Sequence, residues 1–144
     1  MIKQLKSPSS EELDIISKIW LDANLEAHHF INRDYWINNL DQVKKMLPYS
    51  IIYVYYVENE IIGFVGLYEN DIAGIFIKDS YRNKGIGKLF MEKLKNDYNT
   101  LKLYVYEKNV RATRFYLKRH FEIKCKNLEE ETQEYEYFME WTNE

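Results

Sequence analysis

Two of the chain's five glycines, Gly85 and Gly87, stand one residue apart in YRNKGIGKLF (81–90), and Arg82, Lys84 and Lys88 surround them. Bare backbone wrapped in positive charge suits an anion. A helix opening at Gly85 would present N–H groups with no internal partners at its positive end. Glycine removes the Cβ that would keep a ligand off that backbone. The chemistry would be the holding of a phosphate or pyrophosphate. The stretch is neither G-x-x-x-x-G-K-[ST] nor G-x-G-x-x-G, because Phe90 stands three residues after Gly87. The same residues also suit an ordinary solvated strand-to-helix connection. Alone, the stretch leaves both readings open.

The elements around it follow from periodicity. Residues 2–6, IKQLK, alternate as a short strand, and Ser7-Pro8-Ser9-Ser10 breaks the pattern. Ser10 followed by Glu11 and Glu12 predicts a helix start, and Leu13, Ile16, Ile19 and Trp20 continue at helical spacing to His28-His29. A second helix is predicted over 34–47, stopped by Pro48. Residues 51–57 and 61–68 read as a hairpin, and 71–77 as a further strand. A helix over 85–98, a strand over 101–106, a helix over 110–119 and strands over 121–128 and 134–141 complete the order. Hairpins mixed with strand–helix–strand crossovers imply an α/β sheet of mixed direction. Without linker or repeat, residues 1–144 read as one domain.

Composition narrows the function. A net charge of −3 gives no general affinity for nucleic acid, and no nucleic-acid motif accompanies the 82–88 cations. The lone Cys125 permits neither an internal disulfide nor a thiolate cluster, so no metal is expected, and its flanking lysines predict buried strand packing. No apolar run approaches membrane-spanning length, and MIKQLKSPSSEEL lacks a signal-peptide core. The expectation is a cytoplasmic protein that does not enter a membrane. The exposed closing strand would be able to pair with a second copy.

Arg82-Asn83-Lys84-Gly85-Ile86-Gly87 resembles the R/Q-x-x-G-x-G/A motif of the GCN5-related N-acetyltransferases (GNAT), and Ile75-Phe76-Ile77 with Tyr81 resembles the strand that leads into it. Farther on, Asn109-Val110-Arg111-Ala112-Thr113-Arg114-Phe115-Tyr116 resembles the family's second signature, N-x-x-A-x-x-F-Y. Both occur in the family's order, and the element order is similar along essentially the whole chain. The resemblance implies a mixed, mostly antiparallel twisted sheet of about seven strands, helices on both faces, and strands that splay at the cofactor site. It implies acetyl-CoA as acetyl donor and an amine-bearing acceptor, whether small molecule, peptide or protein. Ile75, Phe76 and Ile77 would lie beside the acetyl and pantetheine part, and the cofactor's amide arm would pair with that strand edge. Backbone N–H groups of Arg82, Asn83, Lys84, Gly85, Ile86, Gly87 and Lys88 would hold the pyrophosphate. Asn109, Ala112 and Phe115 would line the cofactor's path.

By the same resemblance Tyr116 takes the catalytic position, as the acid that protonates the departing thiolate. Thiol and phenol pKa values near ~8.5 and ~10 are close enough for that transfer. A backbone N–H at Phe76 or Ile77 would stabilise the oxyanion formed when the amine attacks directly in a ternary complex. The competing reading of this fold is a non-catalytic acyl-CoA-binding regulatory module.

The acceptor side stays open. Where some family members have an acid on the fourth or fifth strand, this chain offers Tyr104 and Tyr106 on the fifth, and Glu69 and Asp71 at the start of the fourth. His28 and His29 fall in the acceptor region and titrate in the useful range, or else pack at a helix end. Trp36 either lines that pocket or belongs to the helix core. Glu129, Glu130, Glu131, Glu134 and Glu136 either attract a cationic amine or form a solvated turn. A water chain without a single base serves as well. His120 replaces the glycine usual after the tyrosine, which predicts an altered helix end.

Overall fold

The computed structural model describes residues 1–144. Its elements run β1 (Ile2–Gln4), α1 (Ser10–Ala27), α2 (Arg33–Met46), β2 (Ile51–Val57), β3 (Glu60–Tyr68), β4 (Asp71–Ile77), α3 (Ile86–Asp97), β5 (Thr100–Tyr106), α4 (Val110–Lys118), β6 (Glu122–Glu129) and β7 (Glu134–Thr142). Types and order follow the periodicity; the ends differ slightly. Ser9, not Ser10, caps α1. Its hydroxyl accepts from the Glu12 N–H at 3.1 Å while the Glu12 carboxylate accepts from the Ser9 N–H at 2.9 Å. That reciprocal pairing requires the glutamate at the third position after the cap, which fixes the cap at Ser9. The α-helix of α2 ends at Met46, and Pro48 lies inside a 3-10 turn, Leu47–Tyr49.

The strands form one open sheet in the order β1-β2-β3-β4-β5-β7-β6. Every pairing is antiparallel except β4 with β5. β3 is an interior strand, and its residues from Ile61 to Leu67 are all buried, as expected of a near-continuous apolar strand covered on both faces. Alternation sends Ile52 and Val54 to one face, where Ile16 and Ile19 of α1 meet them. Tyr53 and Ile62 face the other way, toward Phe90, Met91 and Leu94 of α3 and Tyr116 of α4. Helices therefore cover both faces, and the layers hold the site between them.

Two sequence expectations are corrected. Cys125 is exposed, with the Asn127 amide donating to its sulfur at 3.4 Å. β6 is the outermost strand, and its residues from Glu122 to Leu128 are all exposed, so alternation there marks no covered face. His120 does not alter the helix end: at φ 70° it takes the left-handed position itself. Its N–H donates to the Leu117 carbonyl at 3.1 Å, and the Phe121 N–H donates to the Tyr116 carbonyl at 3.1 Å. These are the two bonds of a Schellman end, made with histidine where glycine is usual. No helix is long and apolar enough to cross a membrane.

Candidate active site

β4 pairs with β3 along its full length, from Tyr68 opposite Asp71 to Gly63 opposite Ile77. Against β5 it pairs only at Asp71–Lys102 and Ile72–Leu103. Beyond those two positions the parallel strands part. The edge of β4 from Ala73 to Ile77 is thus left without a strand partner on that side. A cavity of 680 Å³ fills the gap, lined by residues of α1, α2, β4, α3, β5, α4 and β7.

One end of this cavity is built for an anion. Ile75, Phe76 and Ile77 line it from β4, and Arg82, Asn83, Gly85, Ile86, Gly87 and Lys88 line it where α3 begins. The first intrahelical bond of α3 runs from the Leu89 N–H to the Gly85 carbonyl, and no side chain caps the helix. The N–H groups of Ile86, Gly87 and Lys88 therefore have no helical partner. Gly85 sits at φ 81°, the left-handed conformation that turns the chain into α3. Gly87 serves a different need: a Cβ there would lie 3.2 Å from the Phe115 ring, so its bareness lets α4 approach α3.

The three cations divide. Lys88 lines the cavity; Lys84 is exposed, outside it, and lies over the Tyr81 ring at 5.6 Å. Arg82 reaches across to α1, pairing with Glu26 at 2.6 Å, while its Nε donates to the Ile77 carbonyl at 3.4 Å.

α4 closes the second wall with Asn109, Ala112, Phe115 and Tyr116. Asn109 caps the helix: its Oδ1 accepts from the Ala112 N–H at 3.2 Å. Its Nδ2 lies 3.0 Å from His28 Nε2. The amide has only donors left to offer, so Nε2 is the acceptor and neutral His28 carries its proton on Nδ1. Tyr116 is buried between Phe115 and Phe121, with ring centroids 5.4 and 5.6 Å away. Burial alone pushes its phenol well above the usual range.

The other end is aromatic. His28 stacks on Trp36 at 5.2 Å and meets the edge of Tyr106 at 5.1 Å. Burial pushes the His28 imidazole down to about 4, so it is neutral at physiological pH. Trp36 is both things expected of it, buried in the helix packing and lining the cavity. His29 is exposed and turned away, and Glu69 is exposed in the β3–β4 turn, at the closed end of β4; neither lines the cavity.

A family model described as Acetyltransferase (GNAT) domain matches residues 48–123. The chain belongs to the GNAT acetyltransferases. It is 29% identical over 139 residues to the peptidyl-lysine N-acetyltransferase YiaC of Escherichia coli strain K12, covering 95% of each chain. The solution structure of apo-form YjaB from Escherichia coli superposes with a TM-score of 0.84 at 22% identity, over 100% of this chain and 98% of that one. An aminoglycoside 6'-N-acetyltransferase complexed with coenzyme A gives a TM-score of 0.71 at 14% identity, covering 99% and 96%. At those identities the two structures show the shared fold.

In this GNAT domain the two motifs read from sequence converge on one cavity, because each opens a helix whose start faces the parted strands. Among the lining residues that reading left without a role are two arginines. Arg111 donates to the Asn83 side chain at 2.7 Å, and Arg119 lies over the Phe115 ring at 3.9 Å. Arg111 stands inside the second motif and Arg119 three residues after it, which is the only signal the sequence offers. Glu136 comes from β7, and what placed it in the cavity is its register opposite Tyr106 on β5. In sequence it was one glutamate of an acidic run.

Proposed function

We propose that this GNAT protein transfers the acetyl group of acetyl-CoA directly to a primary amine, with a lysine side chain as the acceptor class. The observation that carries the reading is the single cavity joining an open strand edge, an uncapped helix N-terminus and Tyr116. The unpartnered N–H groups of Ile86, Gly87 and Lys88 would hold a pyrophosphate, aided by Lys88 and the helix dipole. The open edge of β4 accepts an amide-bearing arm as another strand would be accepted. Peptidyl-lysine in the name of the relative YiaC supports the acceptor class.

The chain's own groups divide the work. The Lys78 N–H is spent on the Ile62 carbonyl at 2.9 Å, so alternation turns the Ile75 and Ile77 N–H groups toward the gap. Of the two oxyanion donors expected from sequence, Ile77 is the one on the open side. Tyr116 gives its phenolic proton to the departing sulfur; burial raises the phenol, and a thiolate leaving into the same desolvated space is raised with it, which keeps the two close. His28 is no base at neutral pH: its Nε2 is occupied by Asn109 and its pKa is low. It positions α4 against α1.

The test is thiol release from acetyl-CoA in the presence of an amine panel that includes lysine-containing peptides, with acetylation of the acceptor read by mass. Transfer to lysine ε-amines is expected. Tight acetyl-CoA binding without turnover on any acceptor would overturn the enzymatic reading in favour of a binding module.

A further inference from the structure

We infer that Glu136 is the base that takes a proton from the acceptor ammonium. This inference rests on the acetyltransferase reading above. Glu136 is the only carboxylate among the residues lining the cavity. It sits on β7 opposite Tyr106, at the end of β5 that has parted from β4, and so beside Trp36 and His28 rather than beside the α3 N-terminus. Its oxygens are unspent. Of the other acids nearby, Glu134 pairs with Lys108 at 3.1 Å, Glu107 pairs with Lys126 at 2.8 Å, and Glu129 accepts from the backbone N–H groups of Glu131 and Thr132. Glu136 makes neither an ion pair nor a hydrogen bond to a side chain.

Its surroundings favour a proton acceptor that a cation would satisfy. Tyr106 faces it from β5, Glu129 from β6, Tyr35 lies beyond Tyr106 on α2, and neutral His28 meets Tyr106 from the end of α1. No cation is among them. Burial, and then the Glu129 charge, raise its carboxyl above the ordinary range. Desolvation pushes an alkylammonium in the same space down and the carboxyl up, which narrows the gap that the transfer must cross, while the carboxylate charges act to hold the ammonium's proton. The two carboxylates also attract that ammonium before any transfer. The alternatives lie elsewhere: Asp71 stands at the closed end of β4, and Asp71 and Glu69 are both outside the cavity.

The protons balance as follows. Glu136 takes one proton from R–NH₃⁺, leaving R–NH₂. The nitrogen bonds to the thioester carbonyl carbon, the C–S bond breaks, and Tyr116 gives its proton to sulfur. The nitrogen, still carrying one proton too many for an amide, returns it to the Tyr116 phenolate. Glu136 releases its own proton to solvent, so one proton leaves per turnover and both residues are restored.

Glu136→Gln keeps the shape and removes the charge. With a lysyl peptide at pH 7.5, kcat/KM is expected to fall on the order of 10²-fold, with acetyl-CoA affinity unchanged. Wild-type kcat/KM should fall with decreasing pH along an acid limb above the ordinary glutamate range, and the variant should lack that limb. With a hydrazide acceptor, already neutral at assay pH, the same substitution should cost less than tenfold. A loss below threefold on the lysyl peptide, or an equal loss on both acceptors, overturns the role of Glu136 as base. Wild-type protein that turns over neither acceptor overturns the acetyltransferase reading first, and this inference with it.

Discussion

Tyr116 is buried and His28 half-buried in one cavity, and burial acts on them in opposite senses. It keeps the phenol protonated and the imidazole unprotonated, since each charged form loses its hydration. The phenol is therefore a donor in waiting. Tyr116→Phe should leave acetyl-CoA affinity within about twofold and lower kcat on the order of 10²-fold, read by calorimetry and steady-state thiol release. Unchanged kcat would remove Tyr116 from the proton path. For His28 the consequence is stability. The unfolded chain takes up a proton near ~6.5 while the folded ring resists until about 4. Its contribution is thus complete above ~6.5 and is lost as pH falls toward 4. Chemical denaturation between pH 6.5 and 5.5 should show falling stability for the wild type, and His28→Gln should flatten that slope. An identical slope in both proteins would mean that another group titrates there.

At the scale of elements, α4 shows how a local rule can hold while its usual residue is missing. The absent glycine after Tyr116 predicted a different helix end, yet His120 adopts φ 70° and keeps both closing bonds. The reason lies downstream. The Phe121 N–H must reach the Tyr116 carbonyl for Phe121 to pack against the Tyr116 ring, and only a left-handed residue turns the chain that sharply. Packing overrides the preference of the residue. His120→Gly should relieve strain of about 1–2 kcal/mol, offset by the looser unfolded chain, for a net gain of roughly 0.5–1 kcal/mol. That should raise Tm by about 2–4 °C in a thermal melt, and a lower Tm would show that the histidine makes compensating contacts. Helices and strands were legible because caps and periodicities are local. Cys125 was misread because alternation states which residues share a face, and never whether anything covers it.

Across the whole molecule, the legibility of the site divides along the cavity. The end that suits an anion is written in two short stretches, Arg82–Lys88 and Asn109–Tyr116, since each carries both a helix start and the groups around it. The aromatic end is assembled from α1, α2, β5 and β7, and Glu136 arrives there only through pairing with a strand it does not follow in sequence. The same division is electrostatic. An uncapped helix N-terminus, Lys88 and Arg111 stand at one end, and Glu136 with Glu129 at the other. Under the proposed function, an anionic donor would be drawn to the first end and a cationic acceptor to the second. Raising ionic strength from about 0.01 to about 0.15 M shortens the Debye length from ~30 to ~8 Å and weakens such attraction. The Kd for acetyl-CoA should rise several-fold over that range. Acetyl-pantetheine, which lacks the phosphates, should show almost no change, and Lys88→Ala should reduce the acetyl-CoA slope. Calorimetric titrations at both salt concentrations measure all three. Equal salt dependence for the two donors would place the phosphates in solvent rather than at the start of α3.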